Sequence, residues 1–270
     1  MPITDIVEIQ NPDSARFRPI KEKQDEYVPD IINKNISTRN GMIYALNGTG
    51  GSGKTNLLLN LFRSKKCYRG KFNHIYYFCP EASFTSLKDH PFQDHENVYH
   101  ELTVENLEEV FNELVAIKNK NVKKKKKEKD VAFEGEESES ESEEEEVNED
   151  VEYSICIIDD WADTLKEEKI QKQLNKMLIK ARHLCCGFIF TLQSFLYFPK
   201  ILRKQLTYTT IFVPSNIEEW YSIAKELLHL RPDDALKVYD YVFDKKYNHL
   251  DLDNREKKIY KNFNLLKFKF

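Results

Sequence analysis

One octapeptide, GTGGSGKT at residues 48–55, constrains the fold of this chain more than any other feature of its sequence. It satisfies the pattern GxxxxGK(S/T), with an apolar run of strand type before it and the leucine-rich stretch NLLLNLF after it. In a strand–loop–helix unit of this kind, glycines let backbone N–H groups turn toward a phosphate, and the helix N-terminus adds its dipole. The predicted phosphate-binding loop consists of Gly48, Thr49, Gly50, Gly51, Ser52, Gly53, Lys54 and Thr55.

Two side chains of this loop have specific predicted roles. Lys54 would neutralise phosphate charge, and the hydroxyl of Thr55 would be a ligand of Mg²⁺. The alternative is a chance match in an ordinary turn, which the flanking strand and helix disfavour. We therefore expect a nucleotide to bind here together with Mg²⁺.

A pair of acidic residues follows a second apolar run, CII, at residues 156–158. A phosphate-binding loop needs a carboxylate at the tip of a neighbouring strand, and burying paired acids is costly without a cation. We assign Asp159 to position Mg²⁺ and Asp160 to polarise the attacking water. The alternative is a solvated turn at the end of a strand.

The order of apolar runs predicts the fold class. Strands are expected at about 42–47, 74–79, 154–158, 187–193, 209–213 and 247–252, and most of them are almost entirely apolar. Helical patterns lie between them, at 105–118, 166–183, 217–228 and 232–243. Strands that alternate with helices indicate an α/β fold, with a mainly parallel sheet and helices on both faces.

Charge is concentrated in one segment. The net charge is −4, from 41 Lys and Arg against 45 Asp and Glu, and residues 118–152 alone hold 8 Lys and 14 acidic residues. Blocks of like charge repel one another and bury no apolar surface, so we predict a disordered insert at about 119–151. It would interrupt a domain at 39–270 that follows an extended N-terminal arm at 1–38.

Composition excludes several other classes of protein. No apolar stretch approaches the length of a membrane span, so we expect no integral membrane segment. The five cysteines form no CxxC pair, which argues against a disulfide framework and against a zinc ribbon.

A glutamine ends the strand pattern GFIFTLQ, where it could reach a γ-phosphate or the attacking water. With Gln193 in place, three segments resemble the FtsK–HerA superfamily, and most closely its poxvirus-type genome-packaging ATPases. The segments are LNGTGGSGKTNLL, CIIDDWAD and ARHLCCGFIFTLQSFLYFPKILRKQ, and the resemblance extends over about residues 41–253 apart from the charged insert.

The resemblance implies a P-loop NTPase fold of the RecA/FtsK–HerA type that hydrolyses ATP with Mg²⁺. It also implies translocation of double-stranded DNA into a preformed capsid by a homo-oligomeric ring, a pentamer or hexamer. Expected partners are a capsid vertex or membrane-associated virion proteins, in the host cytoplasm at the viral factory and in the virion.

Ring motors of this type place an arginine of one subunit in the nucleotide site of its neighbour. Arg182 is the first candidate and Arg203 the second. For each, the alternative is a cation that stabilises a helix C-terminus or a surface salt bridge.

Other functions remain open at this point. A P-loop small-molecule or nucleotide kinase is disfavoured because we see no arginine-rich lid, and because Gln193 has no role in a kinase. A non-catalytic nucleotide-binding virion protein is disfavoured by the intact set of loop and acidic residues. The aromatic and basic residues at 195–204 could contact DNA, or could pack the loop onto the domain.

Overall fold

The computed structural model describes residues 26–86, 90–132 and 151–267. A nine-stranded sheet forms its centre, in the order β3-β2-β4-β5-β1-β6-β7-β8-β9. The strands are β1 (Ile43–Asn47), β2 (His74–Phe78), β3 (Val98–Tyr99), β4 (Ser154–Ile158), β5 (Cys186–Leu192), β6 (Tyr208–Ile211), β7 (Leu250–Asp253), β8 (Lys258–Lys261) and β9 (Asn264–Leu265). The first six strands pair in parallel, and β7, β8 and β9 add an antiparallel extension at one edge.

Seven helices lie between the strands in the described part of the chain. They are α1 (Lys54–Arg63), α2 (Glu81–Thr85), α3 (Val104–Ala132), α4 (Glu168–Ile179), α5 (Lys200–Arg203), α6 (Ile217–Ile223) and α7 (Pro232–Val242). Short 3₁₀ turns occupy Thr164–Lys166 and Phe195–Tyr197, and α6 continues as a π-helical turn at Ala224–Leu228. No helix in these described segments is both long and apolar enough to cross a membrane.

The predicted α/β class is confirmed, and the predicted parallel strands lie within two residues of β1, β2, β4, β5 and β6. The last strand, expected at 247–252, lies at β7 instead. Sequence periodicity missed β3, β8 and β9, because strands of two to four residues are too short to show a repeating pattern.

Each face of the sheet has its own apolar core. One core takes the buried residues of α3, α4, α5, α6 and α7. The other takes α1 and the irregular segments that flank it. Alternation along β1 sends Ile43 and Ala45 into the first core and Tyr44 and Leu46 into the second, as a strand buried on both faces requires.

The segment before β1 belongs to the packed domain. Val28, Ile31 and Ile36 are buried in the core that contains α1. Arg39 forms ion pairs with Glu26 and with Glu256, which ties this segment to the C-terminal hairpin. The domain thus begins before the boundary predicted at residue 39, and residues 1–25 of the predicted arm lie outside the described residues.

The first part of the charged insert is helical and not disordered as predicted. Helix α3 does not end near Lys118 but continues to Ala132, through the lysine run, since lysine favours helix almost as well as alanine does. Asn121 is buried, and it donates from Nδ2 to the carbonyl of Glu152 at 3.0 Å and accepts from its N–H at 3.1 Å. These bonds clamp the two ends of the insert together. Its acidic part, 133–150, lies outside the described residues.

Candidate active site

The strand order brings the predicted site residues to one edge of the sheet. Residues 48–55 follow β1, Asp159 follows β4, and Gln193 follows β5, so all three lie at carboxyl ends of parallel strands. We expected the strand that carries the acids to be a direct neighbour of β1. In the structure, β5 lies between β1 and β4. Gln193 therefore lies between the phosphate-binding loop and the acidic pair.

Two glycines of the loop are required by its geometry. A Cβ atom on Gly48 would lie 2.7 Å from Phe212 Cβ and from Ser52 Oγ, closer than side chains pack. Gly53 has a φ of 106°, a left-handed conformation that side chains strongly disfavour, and α1 begins directly after it. The loop can therefore turn its backbone toward a phosphate as predicted.

Lys54 lies folded over its own loop. Its Nζ donates to the carbonyl oxygens of Gly48 at 2.6 Å and Thr49 at 2.9 Å. Partial burial lowers the pKa of this amine, and the nearby charges of Asp160 and Asp159 oppose that shift. The ammonium therefore lies across the concave side of the loop, where a phosphate would replace the carbonyl oxygens as its partner.

Asp159 is a buried carboxylate held by two hydroxyls. Tyr77 Oη donates to Oδ2 at 2.7 Å, and Thr191 Oγ1 donates to Oδ1. Burial raises the pKa of Asp159, and these two hydrogen bonds oppose the shift. The same burial raises the pKa of Tyr77 far above its usual value, so its phenol remains a proton donor in this contact.

Asp160 lies beside Asp159 but faces the solvent-exposed cleft. Its backbone is left-handed, with a φ of 63°, which turns its side chain away from the path of the strand. Gln193 Nε2 donates to Oδ1 at 2.8 Å, and Ser83 Oγ donates to Oδ2 at 3.2 Å. The backbone N–H of Asp160 donates to Thr191 Oγ1 at 3.0 Å, so one hydroxyl holds both acids.

The residues present fit a divalent cation. The carboxylate of Asp159 is buried, accepts hydrogen bonds from two hydroxyls and lies near the carboxylate of Asp160. Lys54 supplies positive charge near both carboxylates. A buried carboxylate beside a second, exposed one, with a single lysine nearby, would be stabilised by a metal ion. Thr55, at the start of α1, lines a cleft beside the loop, and its role as a Mg²⁺ ligand stays a prediction.

The family model of the poxvirus A32 protein matches residues 33–227 of this chain. The chain belongs to the poxvirus A32 protein family. The match confirms the resemblance inferred from the three sequence segments, and with it the assignment of an ATPase of the viral genome-packaging type. No curated protein matches the sequence.

Solved structures of the same fold come from a virus and from bacteria. The DNA-packaging ATPase B204 of Sulfolobus Turreted Icosahedral Virus superposes with a TM-score of 0.53 at 17% identity, over 82% of this chain and 96% of that chain. EssC (ATPases 2 and 3) of Geobacillus thermodenitrificans superposes with a TM-score of 0.54 at 18% identity, over 83% of this chain and 40% of that chain. The pCW3 conjugation coupling protein TcpA, solved with ATPgS, gives 0.51 at 15% identity, over 78% and 57%. At these identities the likeness concerns the fold, which is that of P-loop ATPases.

In this A32-family chain, Arg182 lies at the opposite edge of the sheet from the nucleotide site. It precedes β5, and a Cβ atom on Gly41, which precedes β1, would lie 2.4 Å from its backbone nitrogen. The five residues of β1 separate this edge from the phosphate-binding loop by roughly 17 Å. Arg182 is therefore remote from the nucleotide site of its own chain, and its action on a neighbouring subunit stays a prediction.

Arg203 is placed differently from its prediction. Its side chain is 5% exposed and pairs with Glu226 at 3.3 Å. Nη1 donates to the carbonyl oxygen of Phe195 at 3.4 Å, and the guanidinium lies 5.0 Å from the centre of the Phe195 ring. An arginine enclosed by its own chain is not available to a neighbouring subunit. The contacts therefore support the alternative in which Arg203 forms a salt bridge within its own chain.

Sequence reasoning missed several residues that organise this site. Tyr77 and Ser83 come from β2 and α2, and nothing in their local sequence connects them with the acids 80 residues further on. Glu219 of α6 is also buried, and it accepts hydrogen bonds from Ser194, Phe195 and Ser215. An acid in the first turn of a helix is expected from the sequence to interact with the helix dipole. Nothing in the sequence therefore indicated that this acid would accept hydrogen bonds from two loops.

Proposed function

We propose that this chain is the ATPase subunit of a ring that moves double-stranded DNA into a preformed viral capsid, with Mg²⁺ as its metal ion. The observation that carries the proposal is the bond between Gln193 and Asp160, beside the phosphate-binding loop. A polar residue joined to a carboxylate that faces a cleft can align a water molecule for attack on a terminal phosphate.

Each residue of the site has a task in ATP hydrolysis. The loop backbone and Lys54 bind the phosphates and neutralise their charge. Asp159 and Thr55 would hold Mg²⁺, which would offset the negative charge that develops during phosphoryl transfer. Asp160 accepts a proton from the attacking water or orients it, and Gln193 keeps that carboxylate in place.

The segment after Gln193 supplies a surface suited to DNA. Phe195 and Phe198 are buried and anchor it to the domain. Tyr197 and Leu196 between them are exposed, and the exposed Lys200 follows. For residues 195–204 we weighed packing onto the domain against contact with DNA. Packing describes the buried phenylalanines, whereas an exposed aromatic beside lysines can contact nucleic acid.

We propose a homo-oligomeric ring, pentameric or hexameric, and the position of Arg182 supports it. The arginine is remote from its own site, so its catalytic use needs a neighbouring subunit that brings the two edges together. In the proposed setting the ring docks on a capsid vertex or on membrane-associated virion proteins, and it works in the host cytoplasm.

ATPase assays with and without linear double-stranded DNA test this function. We expect turnover that duplex DNA stimulates, and an increase in particle size when ATP is bound. The Lys54→Ala variant should be inactive, while a Lys66→Ala variant, changed at an exposed lysine beyond α1, should retain activity. Phosphate transfer to a small acceptor would instead support a kinase, and nucleotide binding without turnover would support a non-catalytic virion protein.

A further inference from the structure

A cleft of about 600 Å³ opens beside the phosphate-binding loop, on the side away from the acidic pair. Its walls are the start of α1, from Gly53 to Asn60, and the aromatic residues Phe212, Tyr247 and His249. Asp160 and Gln193 instead line a separate cleft on the other side of the loop. The two sides of the loop therefore differ. The groups proposed to activate water lie on one side, and an aromatic wall lies on the other.

Tyr247 is held in an unusual conformation at the rim of the first cleft. Its φ is 69°, a left-handed value that is rare for a bulky residue, and its side chain is 55% exposed. The ring lies against the loop, since a Cβ atom on Gly53 would lie 3.2 Å from its Cδ1 atom. The backbone of Tyr247 is strained and its ring is largely exposed, with Lys246 Nζ 4.8 Å from the ring centre, so packing onto the domain does not by itself explain its position.

Amide hydrogen bonds hold the residues around Tyr247 in place. Asn262 Nδ2 donates to Asn248 Oδ1 at 2.8 Å, and the N–H of His249 donates to Asn262 Oδ1 at 2.9 Å. Asn248 Nδ2 donates to Asp244 Oδ1 at 2.7 Å at the end of α7. The turn is thereby fixed between α7 and the C-terminal hairpin, which maintains the strained backbone without a ligand.

We propose that Tyr247 is the stacking platform for the nucleobase of the bound nucleotide, whose phosphates occupy the loop. This inference rests on the proposed ATPase function and adds a base-binding site to it. Tyr247 lies beyond residue 227, where the match to the A32 family model ends, so the platform belongs to the C-terminal part of this chain.

The nucleobase is recognised in this cleft by stacking on the aromatic ring rather than by hydrogen bonds to the edge of the base. Asn60 Nδ2 already donates to the carbonyl oxygen of Asn56 at 2.8 Å and to its Oδ1 at 2.9 Å. An aromatic face accepts any base, and a purine offers a larger stacking area than a pyrimidine. The site should therefore accept adenine and guanine nucleotides about equally and bind pyrimidine nucleotides less well.

Equilibrium binding of ATP, CTP and inorganic tripolyphosphate to the full chain tests this assignment. The Tyr247→Gly variant removes the ring and suits the left-handed backbone, so it should fold at least as well as the parent. We expect it to bind ATP about tenfold more weakly, by the usual size of a base–aromatic stack, and to lose the preference for ATP over CTP. Its affinity for tripolyphosphate, which has no base, should be unchanged.

Two further variants complete the test. Tyr247→Phe keeps the ring and should bind ATP like the parent chain. Tyr241→Ala removes an equally exposed tyrosine on α7 and should change nothing. Unaltered ATP affinity in Tyr247→Gly, or an equal loss for ATP and tripolyphosphate, would overturn the platform while leaving the ATPase function intact. A parent chain that binds no nucleotide would overturn both.

Discussion

Gln193 donates a 2.8 Å hydrogen bond from Nε2 to Oδ1 of Asp160. The bond joins the carboxyl ends of β5 and β4, two neighbouring strands, at the cleft beside the phosphate-binding loop. It places the residue that would align water in direct contact with Gln193, two positions before the segment 195–204. A change at the terminal phosphate can therefore pass to the proposed DNA surface through one side chain.

Asp160→Asn should separate binding from hydrolysis. The amide is nearly the same size but accepts no proton, so turnover should fall by a factor of about 100 or more, while ATP affinity changes little. Single-turnover hydrolysis and equilibrium binding measure the two effects.

Gln193→Ala should also keep ATP affinity but lose stimulation by duplex DNA. If either variant lost nucleotide affinity to the extent that Lys54→Ala does, the assigned roles would be incorrect.

Thr191→Val should damage both acids at once. The substitution preserves shape but removes the hydroxyl that donates to Asp159 and accepts from the N–H of Asp160. Leaving buried polar groups without partners costs about 1–3 kcal/mol, so we expect reduced stability together with reduced turnover. Thermal unfolding and ATPase assays measure these effects. Thr191→Ser, which keeps the hydroxyl, is the matched control and should stay close to the parent.

Arg182 and Arg203 should differ in a mixing experiment. Arg182→Ala alone should be inactive, and mixing it with Lys54→Ala should restore part of the ATPase activity. Mixed interfaces can join an intact loop to an intact arginine, and only an arginine that acts on its neighbour permits this. Absence of rescue at every mixing ratio would contradict the role of Arg182.

Arg203→Ala should instead be a stability variant. Loss of its contacts with Phe195 and Glu226 should cost about 2 kcal/mol, which lowers Tm by about 4–8 °C in a domain of this size. Calorimetry measures the shift. Rescue of activity on mixing Arg203→Ala with Lys54→Ala would show that this arginine does reach the neighbouring site.

Removal of the insert should be harmless only if the clamp at its base remains. Replacing residues 123–150 by a short Gly-Ser linker should preserve folding and basal ATPase activity, because Asn121 still pairs with Glu152. Asn121→Ala should lower stability by about 1–3 kcal/mol, since it removes both hydrogen bonds between this buried amide and the backbone of Glu152. Lys120→Ala, at an exposed ion pair with the same glutamate, is the control and should have little effect.

Glu219→Gln should lower stability at neutral pH. Burial opposes ionisation of this carboxyl, but its hydrogen bonds from Ser194, Ser215 and Phe195 outweigh that effect, and its pKa lies below the usual value. A lowered pKa in the folded state stabilises the protein above the unfolded-state value of about 4.3, and this contribution disappears as the pH falls through the lowered pKa. Thermal unfolding should therefore show the largest difference between variant and parent near pH 7, and almost none at acid pH. A difference independent of pH would show that the charge of Glu219 is not what holds this segment.

The sequence by itself determined the phosphate-binding loop, the acidic pair and the parallel strands that carry them. These features depend on local rules: glycine at positions that need its backbone freedom, and apolar runs long enough to show that a strand is buried on both faces. Lys54 could be predicted from the glycine-rich loop motif, and Asp159, Asp160 and Gln193 from their positions just after strands whose ends are visible in the sequence.

The tertiary structure alone decided which distant residues complete the site. Tyr77 reaches Asp159 across 82 positions, and Tyr247 reaches the loop from the far end of the chain, through strand order and hairpin geometry that no local pattern encodes. It also gave different surroundings to Arg182 and Arg203, which look alike in the sequence as basic residues beside apolar segments. Burial against Phe195 and Glu226 encloses one arginine within its own subunit, while the length of β1 separates the other from its own nucleotide site. Such distinctions depend on which surfaces meet when the sheet assembles, and those contacts are made between segments far apart in the chain.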